Sequence, residues 1–171
     1  MIKAALLFAV ALAFSNASPA ADSRYTDLGE SHCVVLDYSA ELASSVSECP
    51  GLAGYRVLLV DSDGRQSLRL VDAGGTEHDF RFASTVATGF SVVGAKLEWR
   101  YGATASGIEP YAAIVRLNAQ VSEGRTRSYL VVMRLRDGPV CVIDSVAPGQ
   151  AQNQKARDIA DARLGKACRQ L

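Results

Sequence analysis

Apolar and polar residues alternate with a period of two through the second half of the chain. Leu97, Trp99 and Tyr101 alternate with Lys96, Glu98 and Arg100. From Tyr111 to Val121 the odd positions are all Tyr, Ala, Val or Leu, while Arg116, Asn118 and Gln120 take even positions. Ser122-Glu123-Gly124 interrupts the run, and Tyr129, Val131, Met133 and Leu135 resume the odd apolar face. Asp137-Gly138-Pro139 interrupts it again before Val140-Cys141-Val142-Ile143. Successive side chains point to opposite faces of a strand, so the pattern predicts an antiparallel meander with its odd face buried. A three-residue loop ending in Gly124 would pair Val121 with Arg125, Leu117 with Tyr129 and Val115 with Val131, keeping odd opposite odd.

The first half is less regular. Residues 55–60 and 66–71 are apolar runs flanking Asp61-Ser62-Asp63-Gly64, a hairpin signal because Gly supplies the positive φ that such turns need. Residues 33–36 read as a short first strand, 39–49 as a serine-rich loop or helical turn, and 22–30 as a polar lead-in. Residues 78–82 suggest another strand, and 83–94 a loop with one short helix. Over residues 150–169 the spacing changes to three and four, with Ala156, Ile159, Ala160, Leu164, Ala167 and Cys168 on one side. That predicts one long helix whose alanine face can approach a sheet closely. The fold class expected is α+β: an antiparallel sheet of about six or seven strands with a C-terminal helix packed on it. A small β-sandwich or half-open barrel is the alternative, since several strands carry apolar residues on their second face.

Residues 1–20 are read apart from this fold. Lys3 precedes an apolar run, 4–14, too short to span a bilayer as a helix, and Ser18 and Ala20 are small residues placed for cleavage after Ala20. Cleavage after Ala17 is the competing choice. This is the pattern of a secretory signal peptide, which leaves residues 21–171 as one domain. The first cysteine after the run is Cys33, so no lipid anchor is expected, and no later segment suits a membrane span. The expected compartment is the periplasm or the extracellular space.

Four cysteines, Cys33, Cys49, Cys141 and Cys168, fit two disulfides in such a compartment. Short loop closure favours Cys33–Cys49 and Cys141–Cys168. The second bridge would join the end of the helix to the core-facing side of the last strand. No ligand spacing for zinc is present, so neither metal nor cofactor is expected. Asp61-Ser62-Asp63-Gly64 departs from a calcium loop at Arg65 and in the position of its glycine, and a hairpin turn explains it. With 18 basic and 18 acidic residues the chain is neutral, and losing Lys3 leaves it one unit acidic. That balance argues against nucleic acid as the partner.

Catalytic candidates are few. His32 and His78 are the only histidines, and no local nucleophile signature accompanies them. Lys96, Arg100, Arg116, Arg134 and Arg136 all hold even positions, so neighbouring strands would gather them on one face, where they could bind an anionic group or an acidic partner. A solvated outer sheet face is the plainer reading of the same residues, and Ile114, Leu130 and Val132 interrupt the charges.

Tyr25-Thr26-Asp27-Leu28, Cys33, Cys49-Pro50-Gly51, Gly54-Tyr55 and Asp61 with Asp63 and Arg65 form a recurring set of residues with Glu98-Trp99-Arg100, residues 111–117, Val146-Ala147-Pro148, Ala156-Arg157 and Ala160-Asp161. Together they resemble small exported proteobacterial proteins of unknown function. The resemblance implies export and a single domain and carries over no activity. The function expected is a non-catalytic binding module that recognises a protein or an anionic envelope polymer through the basic face. A small periplasmic hydrolase using His78 or His32, or a structural envelope component, is the alternative.

Overall fold

The computed structural model describes residues 21–104 and 107–171, so residues 1–20, where the signal peptide is expected, lie outside it. Ten strands form one open mixed sheet: β1 (Asp22–Asp27), β2 (Val34–Ser39), β3 (Ser44–Cys49), β4 (Arg56–Ser62), β5 (Arg65–Val71), β6 (Glu77–Asp79), β7 (Ser91–Thr104), β8 (Gly107–Ser122), β9 (Arg125–Arg134) and β10 (Cys141–Val146). Among the described residues two α-helices accompany it, α1 (Phe82–Thr85) and α2 (Gln152–Asp161), with a 3-10 turn at Glu30–His32. The sheet runs β10-β9-β8-β7-β5-β4-β3-β2, with β1 added on β7 and β6 on β5.

β7 meets β5 only at the parallel pair Arg65–Ser91. Beyond it, β1 takes the free side of β7 from Lys96 to Tyr101, and β6 takes that of β5. The sheet is therefore two wings joined at one point, a first wing of β7–β10 with β1 and a second wing of β2–β6, and their inner faces share a core. Val57, Leu68 and Leu70 from one wing cluster with Leu97, Trp99, Val115, Leu117, Val131 and Met133 from the other. Leu28, Phe80 and Phe82 are buried in the same cluster. The odd positions Ala113, Val115, Leu117, Val131, Met133 and Leu135 are inside, as their alternation requires, whereas Tyr111, skipped by the register shift opposite Arg100 and Tyr101, packs on the helix side and Val121 is exposed.

The even face is buried too, because α2 lies across it. Ala156 and Ala160 pack on Ala112, Ile114, Leu130, Val132 and Ile143 in a second core. The three apolar residues that interrupt the charges along the meander are thus the seat of the helix. Alanine allows this close approach, and Gln152 ties the first turn down by donating to the carbonyls of Ser128 and Val146.

Several expectations are corrected. The sheet has ten strands, more than six or seven, and the polar stretches at Asp22–Asp27 and Ser44–Cys49 are among those that pair. α2 ends at Asp161 instead of running to residue 169, and Gly165 takes a positive φ of 72° beyond it. The tail returns along β10, with the Arg169 amide donating to the Val142 carbonyl. At the β8–β9 hairpin Leu117 pairs with Tyr129 and Val115 with Val131, but Ser122 faces Arg125 and the ladder shifts register at Val121. Both disulfides form as paired from the sequence. Cys141 lies opposite Arg134 on the helix side of the sheet, not in the inner core, and its bridge holds the tail after α2 instead of the helix itself.

Candidate functional site

The expected open basic face is largely closed. Arg100 is 6% exposed, and its Nε and Nη2 donate to the two Asp161 oxygens at 3.0 and 2.7 Å while Nη1 donates to Ser23 Oγ. Arg134 is 3% exposed, and donates from Nε to the Pro139 carbonyl and from Nη1 to the Lys166 carbonyl. Both guanidinium groups hold elements together, Arg100 joining β1 and α2 and Arg134 joining the turn before β10 to the tail. Lys96 pairs with Asp27 and Arg136 with Glu109, both at the surface. Arg134 and Arg116 have no carboxylate within ion-pair distance among the described residues; carbonyls take up Arg134, whereas Arg116 is half-buried beside α2 and spends only Nη1, on Ser128 and Gln152.

The network extends across the helix–sheet seam. Glu98, nearly buried, accepts from Ser23 Oγ at 2.6 Å and from Arg157 Nε at 2.7 Å. Tyr111 donates to Asp161, and Arg163 stacks over the Tyr111 ring at 4.0 Å. Burial, followed by the bond to Asp161, pushes the Tyr111 phenol up to about 12. Burial pushes the Asp161 carboxyl up, but the bonds from Arg100 and Tyr111 outweigh it and hold the group below its ordinary value. These are the marks of a fixed seam between elements, not of a reacting centre.

The two histidines are apart. His32 is exposed and contacts Ser31 Oγ at 3.2 Å. His78 Nε2 is 3.0 Å from Asp72 Oδ2, while Asp72 Oδ1 accepts the amides of Gly74 and Thr76. The His78 bond, then the Thr76 amide, holds the Asp72 carboxyl low. A base–carboxylate pair is present, and no hydroxyl or thiol among the described residues bonds the other ring nitrogen.

An unexpected surface lies at the far edge of the second wing. Val34, Val35, Leu36 and Tyr38 on β2, and Leu42 in the turn after it, are all more than half exposed, with Tyr38 at 70%. The register explains why. Val34 faces Glu48, Val35 faces Ser47 and Tyr38 faces Ser45, small or charged neighbours that bury nothing. The arm is nevertheless stiff. Cys33–Cys49 closes its base, the Arg56 guanidinium makes a fork with Glu48, and the Asp63 amide bonds the Ala43 carbonyl at its tip. From residue 25 to 55 the chain has no lysine or arginine, and Asp37 and Glu41 stand exposed among the apolar groups. The sequence does carry a signal for this surface: an unalternated Val34-Val35-Leu36 run followed by the serine-rich partner 44–48.

The sheet's other edges are handled differently. β10 is covered by the tail, β1 carries Asp22, Arg24 and Asp27, and β6 has three residues, two of them acidic. Proteins normally shield edges by such means, because a bare edge pairs with other strands. β2 has only a bulge at Leu36 and the charge of Asp37 against indiscriminate pairing. No helix among the described residues is long and apolar enough to cross a membrane. Comparison of the chain with family models, with curated proteins and with solved structures finds no match.

Proposed function

We propose that this protein is a non-catalytic binding module, exported to the periplasm or beyond, that takes an extended segment of another protein as an added strand on β2. The contrast among the edges carries the reading: three are covered, charged or very short, and the fourth is apolar and open. Two disulfides suit an oxidising compartment, and the signal-peptide pattern of residues 1–20 supplies the route. Backbone pairing gives such docking its affinity, and the side chains on either face give selectivity. A rigid arm reduces the ordering cost of association.

Charge selects the partner. Asp37 and Glu41 favour a segment in which lysine or arginine alternates with apolar residues. A second copy of the chain is disfavoured, because antiparallel β2–β2 pairing brings the two Asp37 carboxylates to one seam with no lysine or arginine on either strand to offset them. An inhibitor that occupies a foreign hydrolase is one form this role would take. The hydrolase reading is supported by the His78–Asp72 pair alone.

The test uses short fluorescent peptides of alternating lysine and valine, with a glutamate–valine peptide as control. The lysine peptide is expected to bind saturably and to weaken with salt, and the glutamate peptide to fail. Val35→Lys/Tyr38→Lys should abolish binding with a stability change within about 0.5 kcal/mol per site, as both side chains are exposed. Equal binding by wild type and double variant, or by both peptides, would overturn the proposal.

A further inference from the structure

Independently of β2, the geometry points to a small-molecule carboxylate site around Arg116, in the cleft between the first wing and α2. The cleft has a volume of about 260 Å³ and is lined by Tyr25, Lys96, Ile114, Arg116, Leu130 and Arg157, among others. It exists because the β7–β8 ladder opens there. Val93 pairs with Leu117 and Leu97 with Val115, so Gly94, Ala95 and Lys96 stand against Arg116 alone. Such irregularities re-aim a side chain beside a binding site. Gly94 is needed for the close approach, since a Cβ on it would sit 2.8 Å from the Arg116 Cβ.

The charges in the cleft do not cancel. Lys96 has Asp27 and Arg157 has Glu98, whereas Arg116 spends only Nη1, on Ser128 Oγ at 2.8 Å and Gln152 Oε1 at 3.3 Å. Its Nε and Nη2 donate to no described protein atom, and that edge of a guanidinium is the fork that matches a carboxylate. Ile114 and Leu130 give an apolar surface for the ligand's body. The volume is below the range of about 300–1,000 Å³ usual for drug-sized ligands, which favours a short-chain or branched monocarboxylate over a polymer.

The experiment titrates isovalerate into the isotope-labelled protein while the Arg116 side-chain Nε–H and the amides of 94–96 and 153 are followed by NMR. The expected result is saturation at those signals, with the uncharged isovaleramide inert. Arg116→Gln should weaken binding about tenfold or more, ~1.4 kcal/mol by the affinity relation. Arg116→Lys should weaken it too, because it keeps the charge and loses the fork. Arg125→Gln, at the hairpin tip, should bind as wild type. Dispersed α2 amides in each variant establish that it is folded. Failure of isovalerate to saturate the wild type, undiminished binding by folded Arg116→Gln, or tighter binding of inorganic phosphate than of isovalerate would overturn the assignment.

Discussion

Asp161→Ala is expected to lower the unfolding free energy by about 3 kcal/mol. Arg100 beneath it is almost wholly buried and cannot release its charge, so losing the bidentate partner leaves a guanidinium held by Ser23 and a distant Glu98. Breaking a buried pair from one side costs about 3–5 kcal/mol in general, and the low end applies because Asp161 is itself 34% exposed. The loss should appear as a shift in urea midpoint with an unchanged denaturant slope. A change below about 1 kcal/mol would mean that the seam is stabilised by Ala156 and Ala160 alone. The same pair sets a pH dependence. The folded-state carboxyl lies below its ordinary value, so its contribution is complete above that value and is lost as pH falls through the lower folded value. Asp161→Asn should remove that part of the acid-side slope.

Cys141→Ala/Cys168→Ala is expected to cost about 3.5 kcal/mol, the chain-entropy value for closing a loop of 27 residues. Its structural consequence discriminates between two accounts of the bridge. The sequence suggests that this disulfide locks the helix, whereas the structure places Cys168 seven residues beyond the end of α2. Hydrogen exchange should therefore speed up at Lys166, Arg169 and Leu171 while the amides of α2 stay protected by their own packing. Release of the tail also removes the Lys166 carbonyl from Arg134 and uncovers the edge of β10. Parallel loss of protection in α2 and the tail would show that the helix depends on the bridge.

The parts of the fold that could be read beforehand are those where one face is apolar and the other is not. The Leu117–Tyr129 and Val115–Val131 pairs follow from alternation and a glycine turn, and both disulfides follow from loop length. Strand β3 was not legible, because Ser44-Ser45-Val46-Ser47-Glu48 has neither alternation nor β-branched density, and pairing with Val57–Ser62 imposes the strand. The end of α2 was not legible either. The apolar spacing continues past Asp161, but that residue is captured by Arg100 and Tyr111 and the chain leaves the helix there. The basic face shows the limit most clearly. Lys96, Arg100, Arg116 and Arg134 lie on the helix side, but Arg136 falls past the end of β9, beside Glu109 and near Tyr55 and Asp72, and parity does not say which face receives a helix. Ile114, Leu130 and Val132 were the residues that held the answer. The open edge at β2 depends on what its neighbours fail to bury, and that is a property of register, not of any one segment.

The most direct test of the edge-strand account is hydrogen exchange on the protein saturated with the lysine–valine peptide, residue by residue. New protection is predicted at backbone amides of β2 whose N–H groups face outward, with β3 amides little changed because they are already paired. Protection gained instead along β10, at the Arg125–Arg127 end of the β8–β9 hairpin or around Arg116, with β2 exchanging as in the free protein, would contradict it.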